Sequence, residues 1–320
     1  MILLICLPYT ISLFIGFFIL KNLTLSSPTK LPLSIELIYS FGLGLAMSSF
    51  LTFSCFVILN KFNAPYIITA NLLLLCCSAI LFLYRNRKNP LKPSLPVAWS
   101  WKDYLLLLIY LLLVIPALYW STFFLHGGWD AWSTWNLKAR ILFLGGEHWK
   151  DIFGPILWRA SPHYPLLLPL INVWGWSFQS SPIPEIPLAT SFIFMNLTCL
   201  LVYFSLRYLL NTRWAFICTM VLFLHSYFMK IAMSQYCDIV VSFYLLASIL
   251  CLILSRMHQH KMYALIAGLN LGILCFSKPE GLAAAGILIV LSLIHLWKKE
   301  ESQGIHKILS WLYLVYGFLI

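Results

Sequence analysis

Apolar residues in this chain fall in long runs separated by short polar and basic breaks. A helix needs about 20 consecutive apolar residues to cross a hydrocarbon core of roughly 30 Å, and several of the runs reach that length. The pattern predicts spans over residues 2–20, 33–59, 65–84, 103–125, 188–206, 214–229, 239–255, 262–276, 282–297 and 308–320. One more apolar segment, 164–178, carries Pro165, Pro169 and Gly175. As a helix it rises only about 22 Å, too little for an untilted span. The expected fold is all-α: a polytopic transmembrane helical bundle of about 10–11 helices, with an outward-facing loop over 126–163 that holds a juxtamembrane helix.

Basic residues decide how the short segment is read, because cytoplasmic loops carry an excess of Lys and Arg and one extra crossing inverts every later loop. Arg85, Arg87, Lys88, Lys92 and Lys102 form the densest basic loop, which places that loop inside and 126–163 outside. If 164–178 does not cross, Arg207, Arg213, Arg256, Lys261, Lys298, Lys299 and Lys307 fall inside as well; if it crosses, all fall outside. The charges favour an interfacial or re-entrant segment, with a tilted crossing paired to a second short helix as the competing arrangement. The favoured topology gathers Asp130, Glu147, Asp151, His163, Glu185, Asp238, Lys278 and Glu280 on the outward side. The strong break in composition over 86–100 is basic and rich in proline. It divides three leading helices (1–100) from a core (101–298) and a terminal helix (299–320).

Hydrophobic residues make up 61% of the 320 positions and charged residues 10%, against roughly 25% charged in soluble domains. A soluble core cannot hide that much apolar surface. The formal charge of +11 would suit nucleic acid, but the cationic residues cluster between apolar runs, as orientation in a bilayer requires. Membrane lipids are the expected surroundings and nucleic acid is not an expected partner. The nine cysteines show no paired C-x-x-C spacing, so neither disulfides nor a zinc site is expected. The run 2–20 lacks a basic leader and a small-residue cleavage pattern, and reads as a retained helix.

Ionisable residues concentrate in four segments. The outward loop reads His126-Gly-Gly-Trp-Asp-Ala-Trp-Ser-Thr-Trp-Asn-Leu-Lys-Ala-Arg140. Its two glycines permit close backbone approach. Trp129, Trp132 and Trp135, followed by Lys138 and Arg140, suit an amphipathic helix in the headgroup layer. An ordinary aromatic belt accounts for the tryptophans, but Asp130 at that depth needs a further reason. Next, Ser161-Pro-His-Tyr-Pro-Leu166 sets His163 and Tyr164 at the entry of the short segment, where a helix start led by Pro165 explains the pattern equally well. Asp238 opens an apolar helix. Stabilisation of a carboxylate there by about 0.3–1 kcal/mol is one reason for it, and convergence with Asp130 on a common site is the other. Finally, Ser277-Lys-Pro-Glu-Gly281 interrupts two apolar runs, and Lys278 with Glu280 exceed what a turn requires, since a lysine there can hold a phosphate. Glu185, between Pro184 and Pro187, reads as part of a turn. His225, His258, His260 and His295 read as structural or solvent-facing, and Gly268 with Gly272 as a close helix contact.

In this order the segments resemble the GT-C superfamily of integral membrane glycosyltransferases, in particular the branch of protein O-mannosyltransferases and lipid A aminoarabinose transferases. In that family an outward loop after a membrane helix holds an essential aspartate, a His-x-Pro-Leu type segment follows, a second acid opens a later helix, and a lysine-containing turn comes after it. The matching positions are Asp130, His163-Tyr-Pro-Leu166, Asp238 and Lys278-Pro-Glu-Gly281, within 101–297. The chain departs from the pattern where Ala131 follows Asp130 in place of a second acid, and where Tyr164 replaces the first proline of His-Pro-Pro-Leu.

The resemblance implies transfer of a sugar from a polyprenyl-phosphate donor to a lipid, glycan or protein acceptor, on the non-cytoplasmic face of an inner or plasma membrane, with inversion at the anomeric carbon. Asp130 would act as general base, Asp238 would assist, and Lys278 would offset charge on the leaving phosphate. His163, Tyr164, Glu280, Trp129, Lys138 and Arg140 would bind substrate. No cofactor is fixed by the sequence, no metal ligands are named, and a divalent metal stays open. A transporter or flippase of a lipid or small solute is the first competing reading, although no internal repeat is visible. A non-catalytic membrane assembly subunit is the second.

Overall fold

The computed structural model describes residues 2–25, 31–88, 99–297 and 304–319. They form helices, with no strand among the described residues: α1 (Ile2–Thr24), α2 (Leu33–Leu59), α3 (Ala64–Lys88), α4 (Trp101–Ser121), α5 (Asn136–Leu144), α6 (Leu167–Trp176), α7 (Glu185–Leu209), α8 (Thr212–Leu224), α9 (Ser226–Met233), α10 (Cys237–His258), α11 (Lys261–Cys275), α12 (Pro279–Trp297) and α13 (Gly304–Leu319). A π-helical turn, Ala131–Trp135, leads into α5, and two 3-10 stretches, Gly146–Phe153 and Pro155–Ala160, follow it. Most of the proline-rich break, including Lys92, lies outside the described residues, as do Lys298 and Lys299 at the expected start of the terminal segment.

Six stretches are long and apolar enough to cross a membrane: Ile2–Thr24, Leu33–Leu59, Ala64–Lys88, Trp101–Phe124, Glu185–Leu209 and Cys237–His258. The chain is a multi-pass membrane protein on that ground. The expected span over 214–229 is not one helix, because α8 and α9 meet at His225 with a bend of 70°; counted as one broken span, the pair makes a seventh. Leu167–Trp176, Lys261–Cys275, Pro279–Ile294 and Ile308–Leu319 are apolar but shorter. Six or seven of the expected spans thus reach full length among the described residues, while 262–276, 282–297 and 308–320 are present as shorter apolar helices. The turn at His225 cuts an apolar run that hydropathy alone joins to full length, while the turn at Ser277–Lys278 falls at the interruption expected from Ser277-Lys-Pro-Glu-Gly281.

Side-chain contacts fix the direction of the helices independently of any bilayer. Lys21 pairs with Glu36 at 2.5 Å and Ser12 bonds Ser48 at 2.8 Å, so α1 and α2 run antiparallel. The Tyr39 hydroxyl donates to the Ala247 carbonyl and Tyr244 to that of Gly42, both at 2.7 Å, setting α10 antiparallel to α2. Arg207 pairs with Asp103 at 2.6 Å, and Tyr110 donates to Asn196. Helices α4 and α7 are thus antiparallel as well. The end of α4 and the start of α7 share one end of the bundle, and the chain between them returns to the end it left. Helix α6 lies within that return. All ten of its residues are buried, and its rise is only about 15 Å. It is a short helix buried within the protein, at the end of the bundle where α4 stops and α7 starts.

The three leading helices belong to the same core as the rest: Tyr9 donates to the Ile186 carbonyl at 2.9 Å, and the Trp174 indole donates to the Pro8 carbonyl at 3.2 Å. The α11–α13 contact uses the expected small residues, for a Cβ on Gly268 would run into the backbone of Leu314 and one on Gly317 into that of Leu265. The outer faces of α3 and α4 expose Leu73, Ile80, Leu83, Leu108, Leu112 and Ile115, an apolar surface of the kind lipid solvates. One end of the bundle collects Lys21, Glu36, Arg85, Asp103 and Arg207. The other collects the loop after α4, the start of α10 and the turn before α12.

Candidate functional site

At the latter end, Gly127, six residues past α4, lies in the left-handed region (φ 75°), and a Cβ there would press against the Ser234 carbonyl at 2.6 Å. The N–H of Gly128 donates to the same carbonyl at 3.0 Å. This contact brings the Asp130 loop against the connection that opens α10, and so explains both glycines. Gln235, 1% exposed, locks the joint by donating to the Leu125 carbonyl at 2.9 Å and accepting from the Asn136 amide at 2.8 Å.

Asp130 leads the π-helical turn, which carries Trp135 into the core, where it stacks on Tyr164 with ring centroids 5.5 Å apart. One turn on, Lys138 is fully buried and donates to the carbonyls of Ser161 (2.7 Å) and Tyr164 (3.1 Å). Its ammonium clamps the His163-Tyr164 segment from beneath. Burial pushes its pKa down to about 8, because the site offers carbonyl acceptors and no carboxylate. The N–H of Leu167 donates to the Phe276 carbonyl at 3.2 Å, and the Cys237 thiol donates to that of Ser277 at 3.2 Å. The turn before α12 is thereby tied to both α6 and α10.

These ties converge on a cavity of about 130 Å³ whose lining includes Trp129, Asp130, Tyr164, Lys278 and Arg159. The Lys278 ammonium lies 3.2 Å from Asp238 and 3.5 Å from Glu280. Partial burial alone would lower the lysine pKa, but the two carboxylates outweigh it and raise the value above the ordinary 10.5, so the group stays cationic. Asp238 also lines an apolar groove of about 520 Å³ formed where α8 and α9 bend apart, with Val221, His225 and Phe228 among its walls. Lys278 thus lines the small cavity together with Asp130 and pairs with Asp238, which is itself in the wall of the apolar groove, so the three groups run from one pocket to the other. Such an arrangement can take up a proton at Asp130, hold a phosphate at Lys278 and seat a hydrocarbon tail beyond Asp238.

Of the residues singled out in the sequence, Asp130, Trp129, Tyr164 and Lys278 share the cavity, and Asp238 and Glu280 join it through Lys278. His163 is exposed, edge-on to the Tyr164 ring at 4.8 Å, and is not among the cavity residues. Lys138 lies under the loop rather than facing the cavity, and Arg140 lines a different one. Sequence reasoning missed Arg159, Ser133, Thr134 and Ser161 in the lining. Arg159 stands two positions before the Ser161-Pro-His segment, a proximity that could have flagged it. No group of three or more His, Cys, Asp or Glu is placed to hold a metal ion among the described residues. Comparison with protein-family models, curated proteins and solved structures gives no match to this chain.

Proposed function

We propose that this protein is a membrane glycosyltransferase of the GT-C type, moving a sugar from a polyprenyl-phosphate donor to an acceptor hydroxyl or amine on the non-cytoplasmic face, with inversion. The observation that carries this reading is the position of Lys278, which shares a cavity with Asp130 while lying 3.2 Å from Asp238 in the wall of the apolar groove. The donor's isoprenoid chain occupies the groove, its phosphate meets Lys278, and its sugar reaches Asp130. Asp130 takes the acceptor proton as the acceptor atom bonds to the anomeric carbon. The bond from that carbon to the phosphate oxygen breaks, and its electron pair leaves on the phosphate, where Lys278 offsets the charge. Asp238 orients Lys278, and Arg159 is a second cation facing the same cavity.

The test is Asp130→Asn in membranes supplied with a radiolabelled polyprenyl-phosphate sugar. Transfer falls by two or more orders of magnitude, in line with loss of a general base; full activity in the variant would remove Asp130 from catalysis. Mass spectrometry of envelope lipids and glycans after gene deletion names the sugar and acceptor.

The 70° break between α8 and α9 favours a second reading, since broken helices beside a charged residue also mark transporter sites. Uptake of a lipid or solute by reconstituted vesicles, with no covalent product, would establish it in place of the first.

A further inference from the structure

Across the 129–136 turn from the Asp130 cavity lies a larger one, of about 530 Å³, walled by Phe123, Phe124, His126, Trp132, Arg140 and Trp176 among others. Arg140 is half-buried there and forms no ion pair with a carboxylate of the described residues. Glu185, close in sequence to two lining prolines, is not among the wall residues. A guanidinium partly withdrawn from water without a counter-charge is costly, and its planar fork matches a phosphate or carboxylate. Besides Arg140, His126 and Asn136 the walls are mostly apolar, and Phe123 and Phe124, just after α4, and Trp132, in the π-helical turn, expose their rings. Rings of this kind settle at the boundary of hydrocarbon and headgroups.

We infer that this cavity binds the anionic headgroup of a membrane-embedded amphiphile, with its phosphate or carboxylate on Arg140, His126 at the rim, and its tails leaving past Phe123 and Phe124. The volume suits a headgroup and its first methylenes. Under the glycosyl-transfer reading the occupant is the acceptor, brought to Asp130 past the paired rings of Trp129 and Trp132, 4.5 Å apart. That role rests on the transfer reading; the binding does not.

The experiment is native mass spectrometry of the full-length protein with equimolar dioleoyl phosphatidylglycerol and dioleoyl phosphatidylcholine. The wild type retains the anionic lipid in preference. Arg140→Gln reduces that preference roughly tenfold, equal to about 1.4 kcal/mol, while Arg140→Lys keeps most of it and Lys150→Gln, an exposed cation at the same end, leaves it intact. Millimolar inorganic phosphate does not displace the lipid. Unchanged preference in Arg140→Gln, or equal loss in the Gln and Lys variants, overturns the site, and displacement by inorganic phosphate makes it a free-anion site instead. Asp130→Asn keeps the wild-type lipid preference whether or not it transfers sugar, so failure of the transfer reading and failure of this inference are told apart.

Discussion

The Asn136 side-chain amide donates a 2.8 Å hydrogen bond to Gln235, and Gln235 in turn donates 2.9 Å to the carbonyl of Leu125. A residue three positions before Asp238 thereby holds both flanks of the Asp130 loop. The network runs on behind Asn136, through Asn172 (3.2 Å) and Thr190 (3.0 Å), to the Tyr9 hydroxyl on α1 (2.8 Å). Buried polar groups of this sort fix one arrangement when all are satisfied and are costly when one partner is lost.

Gln235→Leu leaves the Asn136 amide and the Leu125 carbonyl without this partner, at about 1–3 kcal/mol for each group left unsatisfied. Thermal unfolding in detergent should show a clearly lowered midpoint, and transfer activity should fall with it because Asp130 and Asp238 lose their common register. A variant as stable as the wild type would deny the network its structural role.

Under the transfer reading Lys278→Met should abolish transfer and Lys278→Arg should keep part of it, because that reading has the position supply a cation near the leaving phosphate. Glu280→Gln should change activity and stability little, as its 3.5 Å contact with Lys278 is made by a side chain 62% exposed, where ion pairs contribute about 0–1 kcal/mol. A Lys278→Met protein with wild-type turnover would move the phosphate site elsewhere.

Hydropathy made the helical class and the long spans legible, since a run such as 237–258 carries its own length signal. Charge bookkeeping already favoured the return of the chain before α7. The break at His225 was not legible: no proline or glycine stands there, and the histidine caps α9 by accepting the N–H of Phe228 at 3.1 Å, which only the folded chain reveals. In the site, Asp130, Asp238 and Lys278 stood out because charge in apolar sequence is conspicuous. Gln235 and Asn136 did not, because amides in a polar loop look ordinary until their partners, 99 positions apart, are brought together. Lys138 and Arg140 looked alike in sequence, yet the helix turns one into the core and the other to a cavity.

Gly128→Ala should impair the joint between loop and α10, for its Cβ would collide with the Tyr236 ring and hydroxyl. Gly127→Ala adds backbone strain at φ 75° to a 2.6 Å approach on the Ser234 carbonyl, at about 1–3 kcal/mol. Both variants should lower transfer more than they lower expression, as measured by activity per folded protein on size-exclusion chromatography. Undiminished specific activity would mean that the loop tolerates a shift at this contact.

Lys138 gives stability a definite dependence on pH. Its folded pKa is about 8 and an unfolded lysine titrates near 10.4, so between those values the folded protein binds fewer protons and stability rises with pH. Below pH 8 both forms are protonated and the cost of burial is constant. Lys278 does not enter this window: its value is raised, so its pairing with Asp238 is kept through pH 10.4 and lost only as the pH passes its folded pKa. The difference in unfolding midpoint between the wild type and Lys138→Met should therefore move in favour of the wild type from pH 7.5 to 10. A difference that stays flat would mean that Lys138 remains protonated throughout.

The Asp103–Arg207 pair at 2.6 Å carries the last prediction, because it sets the start of α4 level with the end of α7. Tyr203 donates to the same carboxylate and Ser100 caps it, so the contact is not an isolated surface pair. Two positions on the returning chain, His148 and Ser180, must then face the same side of the membrane although α6 lies between them. Single cysteines placed there, with the exposed native cysteines replaced, should both react with an impermeant maleimide from outside intact cells, while one at Arg213 should react only after permeabilisation. Opposite labelling of positions 148 and 180 would require α6 to cross, and would break the antiparallel register of α4 and α7 on which the convergence of Asp130 with Asp238 depends.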